Sequence, residues 1–154
     1  MQTFMIAHSH YKTARDLDDK RLGKQRVETK QILRALEGRT RGWVNHPATK
    51  MWEGCEYALA VYGWIMCNEW TERGFKDTLT AYFTERQAYY LKLHFLFGKS
   101  ISEPWWMEEL DTYGKVIQSH RSNLLRKKPD FYGKYSWKVN DDLPYVWHKG
   151  KKEE

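Results

Sequence analysis

From Pro47 to Gly74, Met51, Trp52, Cys55, Leu59, Tyr62, Ile65, Met66 and Trp70 recur at helical spacing. This predicts one long helix carrying the apolar load of a central core. Asn45 and Pro47 suit its entry, and Gly74 ends it. An earlier helix is predicted to start near Thr13 and stop at Gly38, with Leu17, Val27, Ile32, Leu33 and Leu36 as its buried stripe. The stretch "GRTRGWVNHPATK" between the two reads as a loop. A third helix is predicted over "FKDTLTAYFTERQAYYLKLHFLFG", ending at Gly98. "KSISEPWWMEELD" reads as a loop around Pro104 with a short helical turn after it. "GKVIQSHRSNLLRKK" reads as a last helix, stopped by Pro129.

Residues Met1 to His10 suit a strand or an ordered arm. "PDFYGKYSWKVNDDLPYVWHKG" has the Pro, Gly and Asp content of an ordered tail packed by aromatics. No run alternates apolar and polar residues as half-buried strands do. The expected fold is mainly α: a single compact helical domain, residues 1–154, with an aromatic-rich C-terminal tail. A chain of 154 residues can bury one core without disulfides or metal. Cys55 and Cys67 fall on one predicted helix, roughly 18 Å apart at about 1.5 Å per residue, too far for a bridge. That suits a reducing cytoplasm. The N-terminal stretch lacks the apolar run of a signal peptide, and no segment reaches membrane-spanning length.

Charge changes the picture. Lys plus Arg is 26 against 20 for Asp plus Glu, a net charge of +6. A polyanionic partner is favoured. Aromatics make up 16% of the chain, with eight Trp and ten Tyr. Most of these belong to a core, and the surplus can stack on bases.

The cations concentrate on "LDDKRLGKQRVETKQILRALEG", Leu17 to Gly38, with Glu28 among them. On a helix, the Glu28 face runs back through Gln25 and Lys24 to Arg21 and forward to Gln31 and Ile32; Lys20 and Arg26 flank it. In one reading, Lys24–Glu28 is an ordinary surface pair. In the other, Glu28 is an active-site acid inside a phosphate-binding surface, where cations hold the backbone and the carboxylate handles protons. A second stretch, "SHRSNLLRKKPDFYGKYSWK", interleaves His120, Arg121, Arg126, Lys127, Lys128, Lys134 and Lys138 with Phe131, Tyr132, Tyr135 and Trp137. That composition fits a nucleic-acid surface. It also fits a basic helix end complementing the helix dipole.

These segments resemble a known family, the pyrimidine-dimer DNA glycosylases of the phage endonuclease V type. "LDDKRLGKQRVE" is similar to the family's first-helix segment, and the family's catalytic Glu falls on Glu28. "HPATKMWEGCEYALAVYGWIMCNEWTERGFKDT" resembles its second helix and exit. "SHRSNLLRKKPDFYGKYS" resembles its closing DNA-binding region. Leu79 to Gly114 match poorly. The resemblance implies a helical enzyme that needs no cofactor and acts on damaged or modified pyrimidines in double-stranded DNA. It implies that a main-chain α-amine attacks the sugar C1′, that an imine joins protein and sugar, and that β-elimination nicks the strand. An α-amine ordinarily titrates at about 7.7–8.0, so its nucleophilic form is accessible near neutrality.

The chain departs from the family pattern at three positions. The prototype exposes a small residue after losing its initiator Met, whereas Gln2 follows Met1 here. The Met1 amine is then the implied nucleophile. Arg21 stands at the family's active-site His, and Gln31 replaces an Arg after the Glu.

The expected catalytic set is therefore Glu28, Met1 and Arg21. Expected nucleic-acid contacts are Lys20, Lys24, Arg26, His46, His120, Arg121, Arg126 and Lys127, with Trp43, Tyr132 and Trp137 as stacking groups. "HSH" at His8–His10 offers two imidazoles without a third ligand, and no metal is expected. The expected protein is a cytoplasmic monomer. Two alternatives remain open at this level: a non-catalytic DNA- or RNA-binding module on the same scaffold, and a structural or regulatory protein with incidental charge.

Overall fold

A computed structural model describes residues 1–152. Among the described residues there are eight α-helices and no strand. The mainly helical expectation holds. The helices are α1 (His10–Asp16), α2 (Asp19–Leu36), α3 (Pro47–Lys50), α4 (Glu56–Glu72), α5 (Thr80–Phe97), α6 (Trp105–Glu108), α7 (Leu110–Lys127) and α8 (Pro129–Tyr132). A 3-10 turn, Gly133–Tyr135, follows. None of these helices is long and apolar enough to cross a membrane.

Helix α4 is apolar around most of its circumference and lies in the core, with α1, α2 and α5 packed on it. Gly63 allows the close approach of α5, because a Cβ there would fall 2.4 Å from the Phe83 ring. Both long helices expected in the N-terminal half are broken. The first breaks at Leu17–Asp18, where the backbone is extended. The second breaks between α3 and α4, across Gly54 with φ of 79°. A 3.6-residue pattern continues across such breaks, so periodicity alone does not see them. Leu17, Ile32 and Leu33 are buried as expected, but Val27 is 47% exposed and Leu22 joins the buried side in its place.

The break at Asp18 is held by polar groups. The buried Asp18 carboxylate accepts a hydrogen bond from the Tyr132 hydroxyl and pairs with Arg21 (3.3 Å) and Lys128 (3.5 Å). Burial alone would raise the Asp18 carboxyl, but Tyr132 and the two cations outweigh it and hold the group below the ordinary carboxylate range.

The first residues form an extended arm threaded through the core, with Gln2 to Ala7 buried. Side chains satisfy its backbone, as burial requires. Gln25 Nε2 donates to the Gln2 carbonyl, and Gln25 Oε1 accepts from Phe4 N–H, both at 2.9 Å. The Tyr62 hydroxyl donates to the Phe4 carbonyl at 2.8 Å. His120 Nδ1 accepts from Met5 N–H at 2.8 Å, and Arg121 Nε donates to the Ile6 carbonyl at 2.9 Å.

The tail returns across α7. Ser122 Oγ accepts from Leu143 N–H (2.9 Å), Ser119 Oγ from Val146 N–H (3.2 Å), and Arg126 donates to the Asp141 carbonyl. Gly150 N–H donates to the Lys50 carbonyl at 2.8 Å.

Candidate active site

The arm delivers the N-terminus to α2. Met1, Gln2 and Phe4 line a polar cleft of about 270 Å³ together with Lys20, Arg21, Lys24, Gln25, Glu28, Lys127 and Tyr145. Glu28 is the acid of that lining, and Lys20, Arg21, Lys24 and Lys127 are its cations. Gln2 N–H donates to Glu28 Oε2 at 3.2 Å. Half-buried Glu28 is therefore fixed by the arm, rather than standing as a free surface partner of Lys24.

The cations differ in freedom. Lys20 and Lys24 are exposed. Arg21 lines the cleft while Nη1 stays on Asp18. Lys127 Nζ donates to the Tyr145 hydroxyl at 3.2 Å and sits 5.8 Å over the Phe4 ring. Partial burial, Arg21 and Arg126 lower the Lys127 ammonium pKa, while Glu28 pulls it the other way. The cleft is thus a positive field around one fixed carboxylate; such cations can hold anionic groups, and a carboxylate can accept a proton.

Several expected contacts lie elsewhere. Arg26 points inward from α2, pairs with Asp77 (Nε–Oδ1 2.8 Å) and lies 4.8 Å from the Trp70 ring. A guanidinium committed to a buried carboxylate is not free for phosphate. His120 is fully buried and its acceptor nitrogen is used by Met5; burial pushes its imidazole down to about 3. Tyr132 is fully buried beneath Asp18, so it offers no face to a base. Half-buried Trp137 stacks on Tyr135 at 5.1 Å and carries the Arg121 guanidinium at 5.2 Å. Arg121 and Arg126 hold the arm and the tail. Among the described residues no cluster of three or more His, Cys, Asp or Glu could hold a metal.

Sequence reasoning missed Tyr145 and Trp147. Their rings are 5.4 Å apart, and Tyr145 walls the cleft. The i, i+2 spacing of two aromatics in an extended tail was the available signal, because such residues share a side. Trp43 and His46 lie across from them, with ring centroids 5.5 Å apart, and His46 meets Trp147 at 6.0 Å.

A family model described as pyrimidine dimer DNA glycosylase matches residues 1–83, which include the arm, α2 and Glu28. No curated protein and no solved structure matches the chain.

Proposed function

The chain belongs to the pyrimidine dimer DNA glycosylase family, and on that premise we propose that it releases a damaged or modified pyrimidine from double-stranded DNA and then nicks the strand as a lyase. The observation that carries the reading is the shared cleft of Met1, Glu28 and four cations, with the arm tied to Glu28 through Gln2 N–H.

The Met1 amine attacks C1′ of the damaged nucleotide. Its lone pair forms the new C–N bond as the C1′–N1 pair departs with the base. Glu28, still ionised, stabilises the developing positive charge on the sugar and then takes the proton the amine sheds. The C1′–O4′ bond then opens as the nitrogen lone pair closes the C1′=N imine, with O4′ taking a proton; Glu28 moves the C2′ proton, and the C3′–O bond breaks with the 3′ phosphate as leaving group, cutting the strand. Lys20, Arg21, Lys24 and Lys127 hold phosphates on either side of an extruded nucleotide. The reaction uses no cofactor.

Borohydride reduction tests the imine. With duplex carrying one abasic site, the expected product is a covalent complex whose modified peptide is N-terminal. A complex through an internal Lys would remove Met1 as nucleophile. Binding without base release or trapping would favour a non-catalytic DNA-binding module on this scaffold.

A further inference from the structure

Gln25 is 1% exposed and lies on α2 one turn before Glu28. Its carboxamide resembles a peptide group, with donor and acceptor side by side. Nε2 donates to the Gln2 carbonyl and Oε1 accepts from Phe4 N–H, both at 2.9 Å. A carbonyl only accepts and a peptide N–H only donates, so the arm fixes which way the Gln25 amide faces. The fully buried Tyr62 hydroxyl, on α4, shares its proton between the Phe4 carbonyl and Gln25 Oε1, both at 2.8 Å.

Glu28 and Gln25 together take both backbone groups of one arm residue: Glu28 accepts the Gln2 N–H, and Gln25 serves the Gln2 carbonyl. Met1 is the next residue along. Ordinary bond lengths place its nitrogen at most about 3.6 Å from the Gln2 nitrogen, and that nitrogen is 3.2 Å from Glu28 Oε2. Amine and carboxylate are therefore held within about 7 Å whatever the Met1 rotation. The register of the arm is fixed as well. The Gln2 and Thr3 side chains are buried, and Thr3 Oγ1 accepts from Trp52 Nε1 at 2.9 Å. A slip by one residue would carry the amine about 3.3 Å along the arm. That is about the whole separation of reacting atoms poised for attack.

We infer that Gln25 is the positioning residue of the nucleophile: its carboxamide sets the register and direction of the arm, and so the place of the Met1 amine against the sugar. The inference rests on the glycosylase reading and deepens it. Gln25 carries no charge, sheds no proton and takes no part in a bond change. At an abasic site the Met1 nitrogen adds to C1′ and water leaves, giving the imine that hydride reduces to a stable amine. Gln25 acts through where that nitrogen stands. His120 and Arg121 grip the arm further from the amine, at Met5 and Ile6.

The test is covalent capture on duplex carrying one abasic site, with protein in saturating excess and the folded fraction read from tryptophan fluorescence. Gln25→Met fills a similar space and makes neither hydrogen bond. Its capture rate per folded molecule should fall about a hundredfold, the cost of a displacement of about 1 Å at the reacting atom. Its Kd for the same duplex, measured without borohydride, should stay within about twofold of wild type. Gln25→Glu keeps an acceptor for Phe4 N–H and Tyr62 and loses the donor to Gln2, so it serves where Gln25→Met does not fold. Its capture rate should fall about tenfold. Wild-type capture per folded molecule would overturn the assignment, because Gln25 would then serve stability alone. A loss of capture matched by an equal loss of affinity at subsaturating protein, and abolished at saturation, would overturn it too, making Gln25 a DNA contact. Wild-type protein that captures no abasic duplex would overturn the nucleophile reading beneath it, a result visible before any variant is made.

Discussion

Gln2 N–H and Glu28 Oε2 meet at 3.2 Å, so the carboxylate of α2 and the first peptide bond of the chain form one unit. Glu28→Gln keeps an oxygen that can accept from Gln2, so the arm should stay docked. Turnover should fall about a hundredfold or more, the scale of a general acid–base group. Affinity for DNA should hold or rise, because one charge facing phosphate disappears. Wild-type turnover, with a stability change of only a few tenths of a kcal/mol, would leave Glu28 a surface residue.

Exposed Lys24 lines the same cleft. Affinity for duplex DNA should fall linearly with the logarithm of salt concentration, and Lys24→Ala should reduce that slope by about one unit. The loss should be similar for damaged and undamaged duplex. A titration showing the wild-type slope in the variant would take Lys24 off the phosphate path.

Arg26 should behave in the opposite way. Its side chain is 10% exposed and that of Asp77 is 4% exposed, with their charged atoms paired. Arg26→Ala strands the Asp77 carboxylate in the interior and should cost about 3–5 kcal/mol in urea unfolding, the usual penalty for breaking a buried pair. The salt slope of DNA binding should not change. Full stability with a reduced slope would restore Arg26 to the DNA surface.

Acid should destabilise the fold in two windows. Burial holds His10 and His120 down to about 4 and about 3, so both stay neutral in the folded state well below the ordinary histidine range. The unfolded chain takes up those protons below about pH 6.5. Their contribution is complete above that pH and is lost as pH falls, at up to about 1.4 kcal/mol per pH unit per residue. The Asp18 and Asp77 carboxyls lie below their ordinary range. Their contribution is present above about pH 3.9, the ordinary aspartate value, and is lost as pH falls through the folded value. Urea midpoints between pH 7 and 4 should trace the first window, and His10→Phe should flatten it. An unchanged slope in that variant would mean that His10 is not a buried neutral group.

The helical class, the end of α5 at Gly98 and the stop of α7 before Pro129 were legible because periodicity and punctuation are local. The start of α5 was not: the helix expected from Phe75 begins at Thr80, where the Asp77 carboxylate accepts from Leu79 and Thr80 N–H. The Glu28 face was legible for a local reason too: residues one turn apart must be neighbours. Arg26 was not. A cation two positions from Glu28 reads as part of its field until Asp77, 51 residues away, is seen to claim it. His120 and Tyr132 misled similarly. A polar or aromatic residue in a basic stretch looks like surface, and its burial is set by Met5 and Asp18, more than 100 positions away. The tail was read as packed, but the wall it gives the cleft depends on where it crosses α7.

The arm has a consequence for the order in which this protein is made. Residues 1–28 leave the ribosome before the rest of the fold and carry the amine, the carboxylate and three of the cleft's four cations, Lys20, Arg21 and Lys24. The clamps on Met5 and Ile6 come from His120 and Arg121, and the far wall comes from Lys127 and Tyr145. A nascent chain shorter than about 121 residues therefore leaves these arm groups to water, and one shorter than about 145 lacks the Tyr145 wall. Contacts of such long sequence separation also form late in folding. The arm's share of the cleft is therefore synthesised before the residues that enclose it, so translation itself delays assembly of the cleft.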